Sequence, residues 1–192
     1  MKSLFFSSLV AFIVLTSCEP PSSVPQGVRV YFSPHGGATD AVVDALNHAT
    51  NSTLVQAYSF TSAPIAKALV DARRRGVTVR VILDRSQETE KYSEADFLKN
   101  QDVPLLIDAE HAIAHNKIMV IDGYLVLTGS FNFTKAAEEN NAENLLVISD
   151  PVLAKSYTAN WQAHEIHSED YRKEPLGTER PPRSKRKLEP AF

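Results

Sequence analysis

The stretch Val77-Thr78-Val79-Arg80-Val81-Ile82-Leu83 carries one charge among β-branched and aliphatic residues, between Gly76 and Asp84-Arg85. It reads as a central strand buried on both faces, which requires helices above and below it. The preceding residues supply them. Val28 to Phe32 alternates like a strand, and Thr39 is expected to cap a helix with Val42, Ala45, Leu46 and Ala49 on one face. Leu54 to Tyr58 repeats the strand, and Pro64 stands near the start of a second helix. Ile65, Ala68, Leu69 and Ala72 form that helix's buried stripe, and Gly76 is its stop. Further on, Ser93 to Asn100 predicts a short helix and Leu105 to Ile107 a short strand. Ile118 to Ile121 and Tyr124 to Thr128 predict a hairpin around Asp122-Gly123. Leu145 to Ile148 is the last expected strand, and Pro151 opens a closing helix with Leu153, Tyr157, Asn160 and Trp161 at helical spacing. The expectation is an α/β domain over residues 28–171, a mixed, largely parallel sheet sandwiched by helices, with no internal repeat.

The two ends read differently. Lys2 followed by the apolar run Leu4 to Leu15 is too short to span a bilayer and predicts an export signal over residues 1–18. Its end, Leu15-Thr16-Ser17-Cys18, resembles the lipobox of bacterial lipoproteins, in which Cys18 would be lipidated and tether the mature protein to a membrane. The alternative is a plain signal peptide with an incidental cysteine. Either way the protein is expected to be exported, periplasmic or membrane-anchored. Cys18 is the sole cysteine, so no intrachain disulfide supports the fold. Residues 19–27 have the composition of an extended spacer. Residues 172–192, with Arg183, Lys185, Arg186 and Lys187 among prolines, are expected to be a disordered basic tail, either simply solvated or holding a polyanion non-specifically. With 20 Lys+Arg against 23 Asp+Glu there is no global field to draw in phosphate, so any such attraction is local.

Chemistry concentrates in His115-Asn116-Lys117, then four residues and Asp122, then six more and Gly129-Ser130-Phe131-Asn132. Two apart in a strand-like stretch, His115 and Lys117 leave the same face and can converge on one phosphate. A neutral imidazole is a competent nucleophile near neutral pH, and Lys117 supplies charge for the phosphoryl oxygens as the transition state develops. Ser130 and Asn132, after a glycine that permits close backbone approach, suit non-bridging oxygens. A nucleophilic histidine also needs a partner for its other ring nitrogen. Asp122 falls at the hairpin turn, where Asp-Gly is common for conformational reasons, and is expected to take a supporting role in the catalytic set.

This pattern resembles the H-x-K-x4-D motif of the phospholipase D superfamily, and more closely its short bacterial endonuclease branch with one motif per chain. The resemblance runs from Phe32-Ser33-Pro34 through Ala57-Tyr58-Ser59-Phe60-Thr61 and Gly129 to Glu138, and on to Trp161. It implies that Ser130 and Asn132 hold phosphate oxygens and that Glu143 is bonded to the active histidine. In-line displacement needs a nucleophile and a proton donor on opposite sides of the phosphorus. Larger members carry two motifs per chain, so here the second His115 is expected from a symmetric partner in a homodimer. The implied activity is a metal-independent phosphodiesterase working through a phosphohistidine, most simply an endonuclease on DNA or RNA. A phospholipase D acting on phospholipid and a non-catalytic polyanion-binding domain are the alternatives.

No cofactor is expected. Metal ligation is not expected either, since no His/Asp/Glu cluster shows ligand spacing along the sequence and Lys117 would repel a cation. Of the other histidines, His48, His164 and His167 read as surface residues, while His35 and His111 could border the site.

Overall fold

The computed structural model describes residues 27–172; the expected signal, Cys18 and nearly all of the spacer and basic tail lie outside them. In chain order the elements are β1 (Val28–Phe32), α1 (Ala38–Asn47), β2 (Ser52–Ala57), α2 (Ala63–Arg74), β3 (Thr78–Asp84), a 3-10 turn (Arg85–Glu88), α3 (Ala95–Asn100), β4 (Leu105–Asp108), β5 (Lys117–Ile121) and β6 (Leu125–Gly129). They continue with α4 (Lys135–Glu139), β7 (Asn144–Ser149), α5 (Pro151–His167) and β8 (Glu169–Asp170). The described strands form a single sheet in the order β1-β7-β6-β5-β2-β3-β4-β8.

The α/β class and the mixed sheet are as expected, but the balance of directions is not. Only β2–β3 and β3–β4 pair in parallel, while β1–β7, β7–β6, β6–β5, β5–β2 and β4–β8 are antiparallel. β1 and β2 do belong to one βα unit and point the same way, yet β7, β6 and β5 stand between them. Hydrophobic periodicity reports burial and not which strand lies alongside, so the unit was legible and its neighbours were not.

One face of the sheet carries the main core. Val42 and Leu46 of α1, Ile65 and Leu69 of α2 and Leu98 of α3 pack on Val55, Val81, Leu83, Met119, Leu127 and Val147. The stripes expected on α1 and α2 are all buried. The other face is covered by α5, through Trp161 on Ile82 and Ile118 and Ala154 on Val120 and Val126. Trp161 is fully buried and its indole N–H donates to the Val55 carbonyl at 2.8 Å; an Ala there would cost about 3–5 kcal/mol. Asp150 caps α5 by accepting the N–H groups of Val152 and Leu153, while Asn160, expected on the inner stripe, is exposed.

The predicted cap of α1 is corrected. Thr39 lies inside the first turn, Gly37 (φ 78°) is the N-cap, and the free N–H groups of Gly37 and Thr39 donate to the Glu138 carboxylate at 3.1 and 2.7 Å. A side chain a hundred residues downstream replaces the local cap, so local sequence carried no sign of it. β8, α4 and the 3-10 turn are too short to have left a periodic signal.

The strand directions decide where the chemistry sits. β1, β2, β3, β4 and β6 end at the edge of the sheet where β5 and β7 begin. His115, Lys117, Ser130 and Glu143 all stand at that edge, and Asp122 at the opposite one.

Candidate active site

His115 lies on the segment 109–116 that joins β4 to β5. The segment is pinned by Asp84, the last residue of β3, which is 3% exposed. One carboxylate oxygen accepts the Ser86 N–H at 2.9 Å and the other the Ala114 N–H at 2.7 Å, immediately before His115. The Asn116 carbonyl accepts the Tyr58 N–H at 2.8 Å, which continues the β2–β5 ladder to the foot of the histidine. Asp84 was visible in the sequence only as an acid at a strand end; its use as a clamp needed the third dimension.

The imidazole itself is exposed. Lys117 Nζ reaches back 3.1 Å to His115 Nδ1 and donates to the His115 carbonyl at 2.8 Å. The Tyr58 ring packs against the imidazole at 4.5 Å between centroids, with Lys117 Nζ 5.1 Å from its centre. Burial pushes the Lys117 ammonium below the usual lysine range, and the negative charge of Glu143 offsets part of that. The convergence expected from the two-residue spacing is present, and Tyr58 is an added wall that spacing alone did not indicate.

The expected Glu143–His115 hydrogen bond is not made within the chain. Glu143 instead accepts from the Asn141 amide at 3.2 Å and bears electrostatically on Lys117, whose flexible stem occupies the Nδ1 side of His115. Glu143 is nevertheless held at the site edge, its N–H donating to Ser33 Oγ at 3.2 Å.

Ser130 and Asn132 follow β6. The Ser130 and Phe131 N–H groups both donate to the Asn144 carbonyl, and the Asn144 N–H donates to Ser130 Oγ. This close approach is why residue 129 is glycine: its φ is 148° and a Cβ would stand 2.2 Å from the Asn144 carbonyl oxygen. Asn132 keeps its Oδ1 buried and without a hydrogen-bond partner among the described residues. Since the two ends of an amide are interchangeable by shape, this is polar capacity left for a ligand.

Asp122 leaves the catalytic set. It sits beyond the far end of β5, roughly 16 Å along the strand from Lys117 and farther still from the histidine. There it accepts from Thr50 N–H (2.9 Å), Thr50 Oγ1 (2.9 Å), Asn51 N–H (2.7 Å) and Ser52 N–H (2.9 Å). It brackets the turn between α1 and β2, and its φ of 55° shows the conformational demand that the hairpin placed on it.

The expectation that no histidine–carboxylate cluster has ligand spacing is also corrected. His111, His164 and His167 gather on Asp108, with donor atoms within 4.8 Å of one another. Burial pushes the Asp108 carboxyl up, but hydrogen bonds from His164 and His111 and the nearby ring of His167 outweigh it and hold it at about 2. The gathering joins residues more than fifty positions apart, which linear spacing does not display. His48 is exposed, as expected, at the C-cap of α1, and His35 is exposed with φ 61°; His164 and His167, expected at the surface, are instead partly buried against Asp108.

Fold and site together define an α/β domain that presents a histidine–lysine pair at one edge of a mixed sheet. The family described as "Cardiolipin synthase, PLD-like domain" matches over residues 42–164. "Phospholipase D" of Rickettsia felis is 43% identical over 134 residues, covering 70% of this chain and 67% of that protein. "Mitochondrial cardiolipin hydrolase" of Xenopus laevis is 32% identical over 152 residues, covering 79% of this chain and 72% of that one. Among solved structures, a phospholipase D family member, Nuc from Salmonella typhimurium, superposes with a TM-score of 0.72 at 42% identity, covering 76% of this chain and 97% of that one. The chain belongs to the PLD-like domain family of the phospholipase D superfamily and is a phosphodiesterase hydrolase.

Proposed function

We propose that the chain is a metal-independent endonuclease that hydrolyses DNA or RNA phosphodiesters through a phosphohistidine, in an active site shared by two copies. The observation that carries this is the His115–Lys117 pair, an exposed imidazole with the ammonium of a buried lysine 3.1 Å from its Nδ1, present once in the chain. With a protonated Lys117 donating to Nδ1 the neutral ring carries its proton on Nε2, whereas protonating a leaving oxygen takes the doubly protonated imidazolium. Attack needs the opposite tautomer, with the Nε2 lone pair free. One histidine does not hold both forms at once, which supports a second His115 from a symmetric partner.

In the first step Nε2 of one His115 bonds to phosphorus and the bond to the leaving oxygen breaks, with its proton coming from the partner's His115. Water then attacks the phosphohistidine, giving its proton to the partner's His115 and releasing the phosphate ester. Lys117, Ser130 and Asn132 hold the non-bridging oxygens as charge builds. The negative charge of Glu143 offsets part of the burial that disfavours the Lys117 ammonium. An export signal and lipid tether at Cys18 belong to the same proposal and place the enzyme outside the cytoplasm, periplasmic or anchored.

The second reading, hydrolysis of phospholipid headgroups, is favoured by a different observation. Ile113, two residues before His115, is 56% exposed, and Phe32 at the same sheet edge is 65% exposed, as an enzyme dipping into lipid would require. A panel of plasmid, single-stranded DNA, RNA and cardiolipin vesicles, run in EDTA with wild type and His115→Asn, separates the two. His115-dependent nucleic-acid cleavage is expected; turnover confined to vesicles would replace the nuclease reading, and activity of His115→Asn would remove both.

A further inference from the structure

Three histidines that the reaction does not use stand together at the same end of the sheet. Asp108, at the end of β4, is fully buried. Its Oδ1 accepts the Glu110 N–H at 3.1 Å, which turns Oδ2 toward three imidazoles. His111 Nδ1 lies 3.1 Å from that oxygen, His164 Nδ1 2.7 Å and His167 Nε2 3.3 Å. The rings touch one another, with centroids 4.8, 5.2 and 5.3 Å apart.

His111 Nδ1 also lies 3.2 Å from Oδ1, yet Oδ2, with two lone pairs, still faces three ring nitrogens, and the arrangement shows the shortfall. His167 Nε2 is buried and, despite its distance, makes no hydrogen bond. Three cationic imidazoles at such separations would repel one another, whereas three neutral ones aim lone pairs or N–H groups at one point. An ion at that point satisfies every donor at once. Ligands placed tetrahedrally at about 2.0–2.1 Å from a zinc ion lie roughly 3.3 Å from each other. The three contacts to Asp108 span 2.7–3.3 Å and all four ligand atoms lie within 4.8 Å of one another, so modest side-chain rotations would bring them to that spacing.

We propose that Asp108, His111, His164 and His167 form a four-ligand site for Zn2+ or a closely similar borderline dication. Imidazoles with a single carboxylate favour such an ion over Ca2+ or Mg2+, which prefer oxygen. Four protein ligands leave no open position, which makes the site structural and not catalytic. Its ligands come from three places, the end of β4, the segment leading to His115, and the last turn of α5, where His164 and His167 share a face. α5 has only Ala154 and Trp161 fully buried, so its C-terminal turns have little apolar anchorage of their own. The ion would bolt that end of α5 to the sheet and fix the segment four residues before the active histidine.

The test uses the full chain purified without a histidine tag, stripped with EDTA and reloaded with ZnCl2 or CoCl2. About one zinc per chain should be retained on desalting, the melting temperature should rise by about 5 °C or more, and the Co2+ form should show the intense visible bands of a tetrahedral centre. His164→Gln with His167→Gln should lose all three signals. His111→Gln, on the exposed side, should fold and bind Zn2+ at least about tenfold more weakly. His115→Asn should retain the metal, so failure here and failure of the phosphohistidine reading are separable. Absence of stoichiometric zinc and of any thermal shift, or undiminished affinity in folded His111→Gln, would overturn the proposal.

Discussion

Replacing Asp84 by asparagine should slow the reaction without touching any residue that meets the phosphate. The aspartate offers one oxygen to Ser86 N–H and the other to Ala114 N–H, in a position 3% exposed to solvent. Asparagine offers one oxygen and, on the other side, an amino group facing an N–H. One charge-assisted bond is lost and one buried donor is left opposed, which costs about 1.5–3 kcal/mol. From a total of about 5–15 kcal/mol the domain still folds. The consequence for rate is larger, because a shift of about 1 Å in the reacting group can cost on the order of a hundredfold. The expected result is a kcat lowered about 10–100-fold on a soluble chromogenic phosphodiester, with KM changed less than about threefold, and a urea midpoint displaced by the stated energy. A variant that loses the stability but keeps the wild-type kcat would refute the claim that Asp84 positions His115.

Two other substitutions probe the frame. Asp122→Ala removes the acceptor of four hydrogen bonds and should destabilise by about 2–4 kcal/mol while the folded fraction keeps its kcat, as measured by urea melts beside activity. Burial raises the Asp122 carboxyl, but the bonds from Ser52, Thr50 and Asn51 outweigh it and leave it below the usual carboxylate range. Its stabilising contribution is therefore full above about pH 4 and is lost as pH falls through the lowered value; Asp122→Asn should flatten that acid limb in thermal melts taken from pH 6 downward. Gly129→Ala should drive the ends of β6 and β7 apart, since its Cβ would meet the Asn144 carbonyl oxygen at 2.2 Å. It should weaken phosphate binding at Ser130 and cost about 1–3 kcal/mol, and wild-type stability would contradict the reading of that contact.

What the sequence displayed and what it concealed divide along physical lines. Periodicity marked α1, α2, β3 and the β5–β6 hairpin because each buries a regular face, and Gly76 (φ 96°) and Asp122-Gly123 marked their turns through backbone demands that act locally. The pairing of β1 with β7 and the capping of α1 by Glu138 depend on contacts across a hundred residues and left no local trace. The same holds at the site. His115 and Lys117 declared themselves by spacing, while the Asp84 clamp, the Tyr58 wall and the gathering of three histidines on Asp108 exist only once strand order is fixed. Asp122 was the opposite case, a motif residue whose proximity in sequence suggested chemistry and whose place at the far edge of the sheet shows architecture.

The sharing of one phosphate by two copies of His115 can be measured by co-refolding wild type with increasing amounts of His115→Asn at constant total protein. If both imidazoles serve a single site, activity should fall as the square of the wild-type fraction, to about one quarter in an equal mixture. A linear fall, to about one half, would mean that each chain carries a complete site and would contradict the account.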